Sequence, residues 1–525
     1  MNQHLRSIAL GTVLLVCSHF STNALAKTLS PYAKDFQQLF TAIENEYAAL
    51  PLKEKRFGLS TKALRQKYAA ELKQVTSEKA FQRLVQKIIG EFHDSHFSSR
   101  LRTQDFYTLG FTTDLIQNQV VISSVDREQL SVRDFPAQVG DVITHWNQVP
   151  VQQKLREIQA YLSKSNPQTR QRYSAMLLTQ REVMEVPAPD KERAELRIRP
   201  RKASEAGDSP PEAFEISLPW KKGLSRDFKH PYCDQELSKF PLPPNRQVVK
   251  KDRAYIFPHP TQPDVRVGYL RIPDYLIKPE DFAQTLKAYA ALFEVLEKDS
   301  DVLILDQTHN CGGNVEMAET LLGFFHQRPY TPVQYRFLRT PNELAYWKKV
   351  RGHLQKQRPE VANNLNHLIE LLETSLKSSG NSQKLTDARL TDAKLTEQSS
   401  LFGQKTLPAY GAYSHPVLLL VNEFSGSAGD VFASYMQFGK LATLMGQTTM
   451  GAGGHARPDL RLTHTHITVK MPKMLFYLPD GTALENRGAT PDILYTETLQ
   501  DVMYGYVPYQ RAYLKAALDM VNAHE

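Results

Sequence analysis

The sequence predicts an α/β protein in three parts: a helical N-terminal region, a strand-rich middle module and a C-terminal core of alternating strands and helices. Three observations carry this. Phe81, Leu84, Val85, Ile88 and Ile89 form one apolar stripe at helical spacing. From about Tyr107 the pattern changes to short apolar strands such as "QVVISSV" (Gln119–Val125). From Val265 onward, apolar runs alternate with amphipathic stretches, the order that builds a largely parallel sheet with helices on its faces.

A chain of 525 residues is too long for one ordinary core, and 41% apolar with 23% charged residues reads as globular. The opening segment differs. Arg6 supplies a positive start, residues 8–16 are apolar, and Ala24-Leu25-Ala26 offers the small residues a signal peptidase reads. Residues 1–26 are therefore expected to be a secretory signal cleaved after Ala26, which sends the chain to the periplasm or outside the cell. That apolar run is too short to span a bilayer, and no later segment is apolar enough, so no transmembrane anchor is expected. The net charge of +8 is spread in small groups without interleaved aromatics, so nucleic acid is not an expected partner. Without the signal, Cys233 and Cys311 remain. Export permits a disulfide between them, but their spacing does not predict one.

Along the chain, residues 27–104 read as helical. Ser77 caps what reads as the third helix, which carries the apolar stripe and ends near Gly90. "EFHDSHFSSR" (91–100) follows directly. Residues 105–220 hold an apolar strand, the Gly140-Asp141 turn, a second strand and a turn at Asn147, which together resemble a PDZ-like module. "AELRIRP" and "EAFEISLPW" form a further strand pair at its end, and 221–264 reads as a connector. The core, 265–525, opens with the strand "VRVGYLRI". An amphipathic helix follows through Phe282, Leu286, Tyr289, Phe293 and Leu296, then a buried strand at 302–305 and a helix at 315–325. Residues 340–412 are polar, helix-prone and contain the near-repeat "KLTDARLTDAKLTEQ" (384–398), so an exposed insertion is expected. Strand, turn and helix resume at Val417, with another strand at 442–446.

In open α/β sheets the functional residues gather at the carboxyl ends of strands. Two such loops stand out: "DQTHNCGGN" (306–314) and "VNEFSGSAGDVF" (421–432). A serine at a helix N-terminus is favoured for chemistry, because the helix dipole suits developing negative charge and the next N–H points at an oxyanion. Ser427 fits better than Ser425, since the apolar helix begins just after it, and Ala428 then supplies one oxyanion amide. The Gly312-Gly313 turn can supply a second, because glycine lets backbone approach a ligand closely. Each loop alone equally fits a plain turn. The serine also needs a base. His93, His96, His309, His455, His464 and His466 are all candidates on residue type.

These motifs carry a family resemblance. "VNEFSGSAGDVFASYMQ" resembles the nucleophile segment of the tail-specific (C-terminal processing) protease superfamily, "LILDQTHNCGGNVEMAETLL" its glycine-rich oxyanion segment, and "LENRGATPDI" its C-terminal segment. "VGYLRIPDY" is similar to a further family strand. The resemblance covers most of the mature chain, weakly before residue 100 and in 340–412. It implies a crotonase-like (ClpP/crotonase) catalytic core. One branch of the superfamily uses a Ser-Lys dyad, with lysine in a Gly-Lys-Gly loop; here Ala452 stands in that slot. The other uses Ser-His-Glu. By resemblance to that branch, Ser427 is the nucleophile. His96, in Asp94-Ser95-His96, is the base, with His93 its competitor. Glu485 is the orienting carboxylate.

The expected function is therefore an exported serine endopeptidase acting on protein or peptide substrates, with Ala428, Gly312 and Gly313 around the oxyanion. A homodimer is left open by the resemblance. His93-x-x-His96 and His464-x-His466 lack a third ligand at a suitable spacing, so neither a metal nor an organic cofactor is expected. The rival reading is a PDZ-like peptide-binding protein on an inactive core; a zinc-dependent hydrolase is a third.

Overall fold

The computed structural model describes residues 29–523, apart from 101–104, 202–211, 225–232, 234–242, 244, 251–252, 358, 379–394 and 402. The expected signal peptide and most of the near-repeat lie outside the described residues.

The N-terminal region is built from the helices Pro31–Glu46, Leu50–Phe57, Thr61–Leu72 and Glu78–Gly90. Ser30, Ser60 and Ser77 cap three of them, each side chain accepting the amide three residues on. The helix capped by Ser77 is thus the fourth, not the third, because Leu50–Phe57 is too short to show a periodic stripe. Phe81, Leu84, Val85, Ile88 and Ile89 are buried against Phe36, Leu39, Phe40 and Ile43. The same cluster takes in Val469, Met471 and Leu475 of the strand Thr468–Tyr477. This shared core, together with pairing of Ser98–Arg100 to Thr468–Tyr477, brings the 91–97 loop against the C-terminal core.

In the middle module the strands Phe111–Ile116, Gln119–Val125, Val142–Trp146, Arg193–Arg199 and Phe214–Pro219 lie side by side in that order. Two helices, Val151–Gln159 and Pro167–Thr179, complete it. The second has no one-sided stripe to read, because nearly every residue from Thr169 to Thr179 is buried.

The C-terminal core holds a seven-stranded sheet: Gln247–Lys250, Ala254–His259, Gln262–Arg271, Val302–Asp306, Val417–Val421, Thr443–Gly446 and Ile493–Leu494. The first three are antiparallel and the last five form a parallel run. Val302–Asp306 and Val417–Val421 are buried at every position, which is why they read as unbroken apolar runs. A second sheet pairs Ser98–Arg100, Thr468–Tyr477, Gln334–Phe337 and Gly454–Arg461. Within 340–412, the helices Pro341–Gln357 and Pro359–Ser378 are packed rather than loose: Leu365, Leu368, Ile369 and Leu372 enter the main core. Among the described residues no helix is long and apolar enough to cross a membrane.

Candidate active site

The strand Val417–Val421 ends at the sheet's carboxyl edge, and the chain turns into the helix Ala428–Phe438. Ser427 sits between them with φ 57° and ψ −117°. A non-glycine residue held there costs about 1–3 kcal/mol, so its surroundings must over-determine it. Asp430 does much of this. Its carboxylate accepts the Ser427 amide (2.9 Å), the Thr449 hydroxyl (2.6 Å) and the amides of Gly451 and Ala452 (2.7 Å each). Burial pushes the Asp430 pKa up to about 6 against these four donors. Ala452, in the slot of the dyad lysine, is itself buried. Ser425 has a different job: fully buried, its hydroxyl donates to the Gln307 carbonyl (2.9 Å) and accepts the Asn422 amide.

The Asp306 loop runs across the front of Ser427. A Cβ on Gly312 would lie 2.6 Å from the Ser427 Cβ and 2.8 Å from the Ala428 nitrogen, so only glycine allows this approach. Asn310 clamps the turn: its side-chain oxygen accepts the Gly312 amide (2.8 Å) and its carbonyl accepts that of Gly426 (2.8 Å). Gly312 thus has its N–H engaged. Cys311 is disulfide-bonded to Cys233, with a Cα–Cα separation of 5.4 Å, so the connector is tied to this turn.

His96 Nε2 lies 3.2 Å from Ser427 Oγ. Burial lowers its pKa to about 4; Asp94 opposes this, while Lys470, His455 and Lys164 push it further down. The ring is therefore neutral at neutral pH, as an acceptor of the serine proton must be. Its amide is held by Asp94 Oδ1 (2.9 Å), while its buried Nδ1 has no hydrogen-bond partner among the described residues. His93 faces elsewhere. Its Nδ1 is 2.8 Å from the Arg170 guanidinium and its ring meets Phe57 edge-on. Burial, Arg170 and Lys53 lower its pKa to about 4.

Glu485 is buried, but it makes no direct bond to His96. Its oxygens are taken by Lys53 Nζ (2.5 Å), the Ser165 hydroxyl (3.2 Å) and the Gly453 amide (2.8 Å). Burial and the Asp94 charge raise its pKa, and Lys53 opposes them. Sequence reasoning missed Lys53, since nothing in "PLKEKRF" separates it from Lys55. Of the other candidates, His455 lies near enough to His96 to help lower its pKa. His309 is buried beside Phe424, His455 is exposed, the His464 amide bonds Asp35, and His466 takes a positive φ. Among the described residues no group of three or more His, Cys, Asp or Glu is placed to hold a metal.

A serine on a strained strand-to-helix turn, a neutral histidine against its hydroxyl and a glycine turn packed on it are the parts that serine-peptidase chemistry requires. Residues 266–495 match the model of peptidase family S41, and residues 106–219 match a PDZ domain. A protein of Chlamydia trachomatis is 27% identical over 273 residues, 49% of this chain and 45% of its own. A carboxy-terminal-processing protease of Bartonella bacilliformis is 30% identical over 91 residues, 17% of this chain and 20% of its own. The matches thus span less than half the length of these relatives. The fold is shared with the structure of mature CPAF, the chlamydial protease-like activity factor: TM-score 0.77 at 20% identity, covering 94% of this chain and 98% of that one.

Proposed function

We propose that this chain is an exported serine endopeptidase that cleaves protein or peptide substrates through an acyl-enzyme. One observation carries the reading: His96 Nε2 within 3.2 Å of Ser427 Oγ, with the serine at the start of the helix Ala428–Phe438. His96 removes the hydroxyl proton as Ser427 Oγ attacks the peptide carbonyl. The oxyanion is received by the amides of Ala428 and Gly313, since that of Gly312 bonds Asn310. His96 then protonates the leaving amine, and a water attacks the acyl-enzyme by the reverse steps. Glu485 serves as the orienting carboxylate at one remove, through the network that fixes the 91–96 loop. The parallel run of the core sheet supports a crotonase-like arrangement, and the PDZ domain supports a peptide ligand. Export is proposed on the signal-like pattern of residues 1–26, which supports a site in the periplasm or outside the cell.

A fluorophosphonate probe tests this. Peptide mapping should find the label on Ser427 alone, and Ser427→Ala should abolish it. Label on Ser425, or undiminished label in the Ser427 variant, would remove the assignment.

A further inference from the structure

Lys53 is fully buried, and its ammonium meets three acceptors at once: Glu485 Oε1 at 2.5 Å, Asn486 Oδ1 at 2.7 Å and the His93 carbonyl at 2.9 Å. Asp94 Oδ2 lies 3.9 Å away. An ammonium has three protons, so its donor capacity is filled. These acceptors come from two separate places. Glu485 and Asn486 belong to the C-terminal core; His93 and Asp94 belong to the loop that presents His96. Lys53 itself comes from the N-terminal helix Leu50–Phe57.

We infer that Lys53 is a positioning residue for the proposed peptidase reaction: it couples Glu485 to the His96 loop and compensates the buried Glu485 carboxylate. The inference rests on the roles given above to Ser427, His96 and Glu485.

The surroundings explain why a cation is needed. Glu485 and Asp94 are both buried, and like charges brought together out of water disfavour each other's ionisation. Tyr47, from the stretch before Lys53, already donates its hydroxyl to Asp94 Oδ2 (2.6 Å). Ser163 and Ser165 supply neutral bonds to the Asp94 amide and to Glu485. His93 is turned to Arg170 and His96 to Ser427. Lys164, next in sequence, pairs with Glu185 and stacks over Tyr173, and Lys470 lies on the strand paired with Ser98–Arg100. Lys53 is thus the cation bonded to Glu485, and burial already raises the pKa of that carboxyl.

The expected consequence is a pH signature. Without the ammonium the Glu485 pKa rises further, and a protonated Glu485 is a poorer acceptor for Ser165, which holds the Ser95 amide beside His96, so the acid limb of kcat/KM in Lys53→Met should move up by about 1–3 pH units, the usual effect of an opposite charge at contact. A merely structural role would lower the rate at every pH without moving the limb. A second readout needs no activity. In the Ser427→Ala background, Lys53→Met should lower Tm much more at pH 8 than at pH 5. A carboxyl whose folded pKa is raised binds its proton more tightly than in the unfolded chain, so stability is lost as pH rises through that range. Adding Glu485→Gln to Lys53→Met should restore most of the loss at pH 8, which also covers a single variant that folds poorly. An equal Tm loss at both pH values, with no rescue by Glu485→Gln, would overturn the charge-compensation role. An unmoved acid limb beside a pH-dependent Tm would overturn the link to catalysis. Wild-type enzyme and Ser427→Ala run in the same rate assay keep a failure of the peptidase reading separate from either result.

Discussion

Ser427 and His96 touch, yet the loops that carry them are held by different means. The serine loop takes its closest frame from its own domain, with Asn166, Thr169 and Arg172 of the middle module bonding the Thr449 carbonyl, the Glu423 carbonyl and the Glu423 carboxylate from outside. A buried strand leads in, a helix leads out, and Asp430 gathers four donors from the turn and the 449–452 stretch. The histidine loop has no such local frame. Tyr47 comes from the turn after the first N-terminal helix and Lys53 from the second, Ser163 and Ser165 from the residues matching a PDZ domain, and Glu485 with Asn486 from the core. The turn of the proposed nucleophile is thus held mainly by bonds inside the core, whereas the loop of the proposed base is held where three parts meet. Changes far from the chemistry should therefore act through the histidine side, while changes in the serine loop should act on the core itself.

The largest effects should come from the two touching residues. Ser427→Ala and His96→Ala should each cost on the order of 10³-fold or more in kcat with an intact fold, read by peptide hydrolysis beside circular dichroism. Next is the frame of the serine loop. Asp430→Ala strands four donors in a buried site, at about 1–3 kcal/mol for each unsatisfied group, so urea denaturation should show a large loss of stability together with lost activity. A stable but inactive Asp430 variant would sharpen the comparison, leaving Asp430 to hold the Ser427 backbone alone. Loss of the Cys233–Cys311 bond should cost about 2–5 kcal/mol. Cys233→Ser and Cys311→Ser should lower Tm alike, and the double variant should fall no further, since both remove one bond. Ser425→Ala should cost about 1–3 kcal/mol by taking the acceptor from the buried Asn422 amide, the Gln307 carbonyl keeping the Asn310 amide, while most activity stays. Activity lost in step with Ser427→Ala would break the distinction between the two serines.

The same contrast decides what could be read from the sequence. The serine side was legible because its determinants are local: an apolar run, two glycines, a serine and a helix start follow one another within 417–432. The Gly312 turn was legible for a similar reason, although its amide proves to be tied to Asn310. His96 came only from resemblance, since it lies 331 residues from Ser427 and no local pattern joins them. The position of Glu485 was named, but its bond to Lys53 rather than His96 was not, because a buried ammonium in a short basic helix looks like any surface lysine. The helix Pro167–Thr179 escaped because burial on all sides erases periodicity. The second sheet escaped because Thr468–Tyr477 finds partners far away in the chain, at 98–100 and 334–337. The disulfide escaped because closeness in space, not spacing in sequence, permits it.

The account centres on His96 acting as the base for Ser427, with His93 structural. His93→Ala and His96→Ala, assayed side by side on one peptide across pH, test this most directly. His93→Ala should keep activity near the wild-type level, since its ring faces Arg170 and Phe57 and makes no bond to the serine. His96→Ala should fall by about 10³-fold or more at every pH. A dead His93 variant beside an active His96 variant would contradict the account, and two active variants would show that another group takes the serine proton.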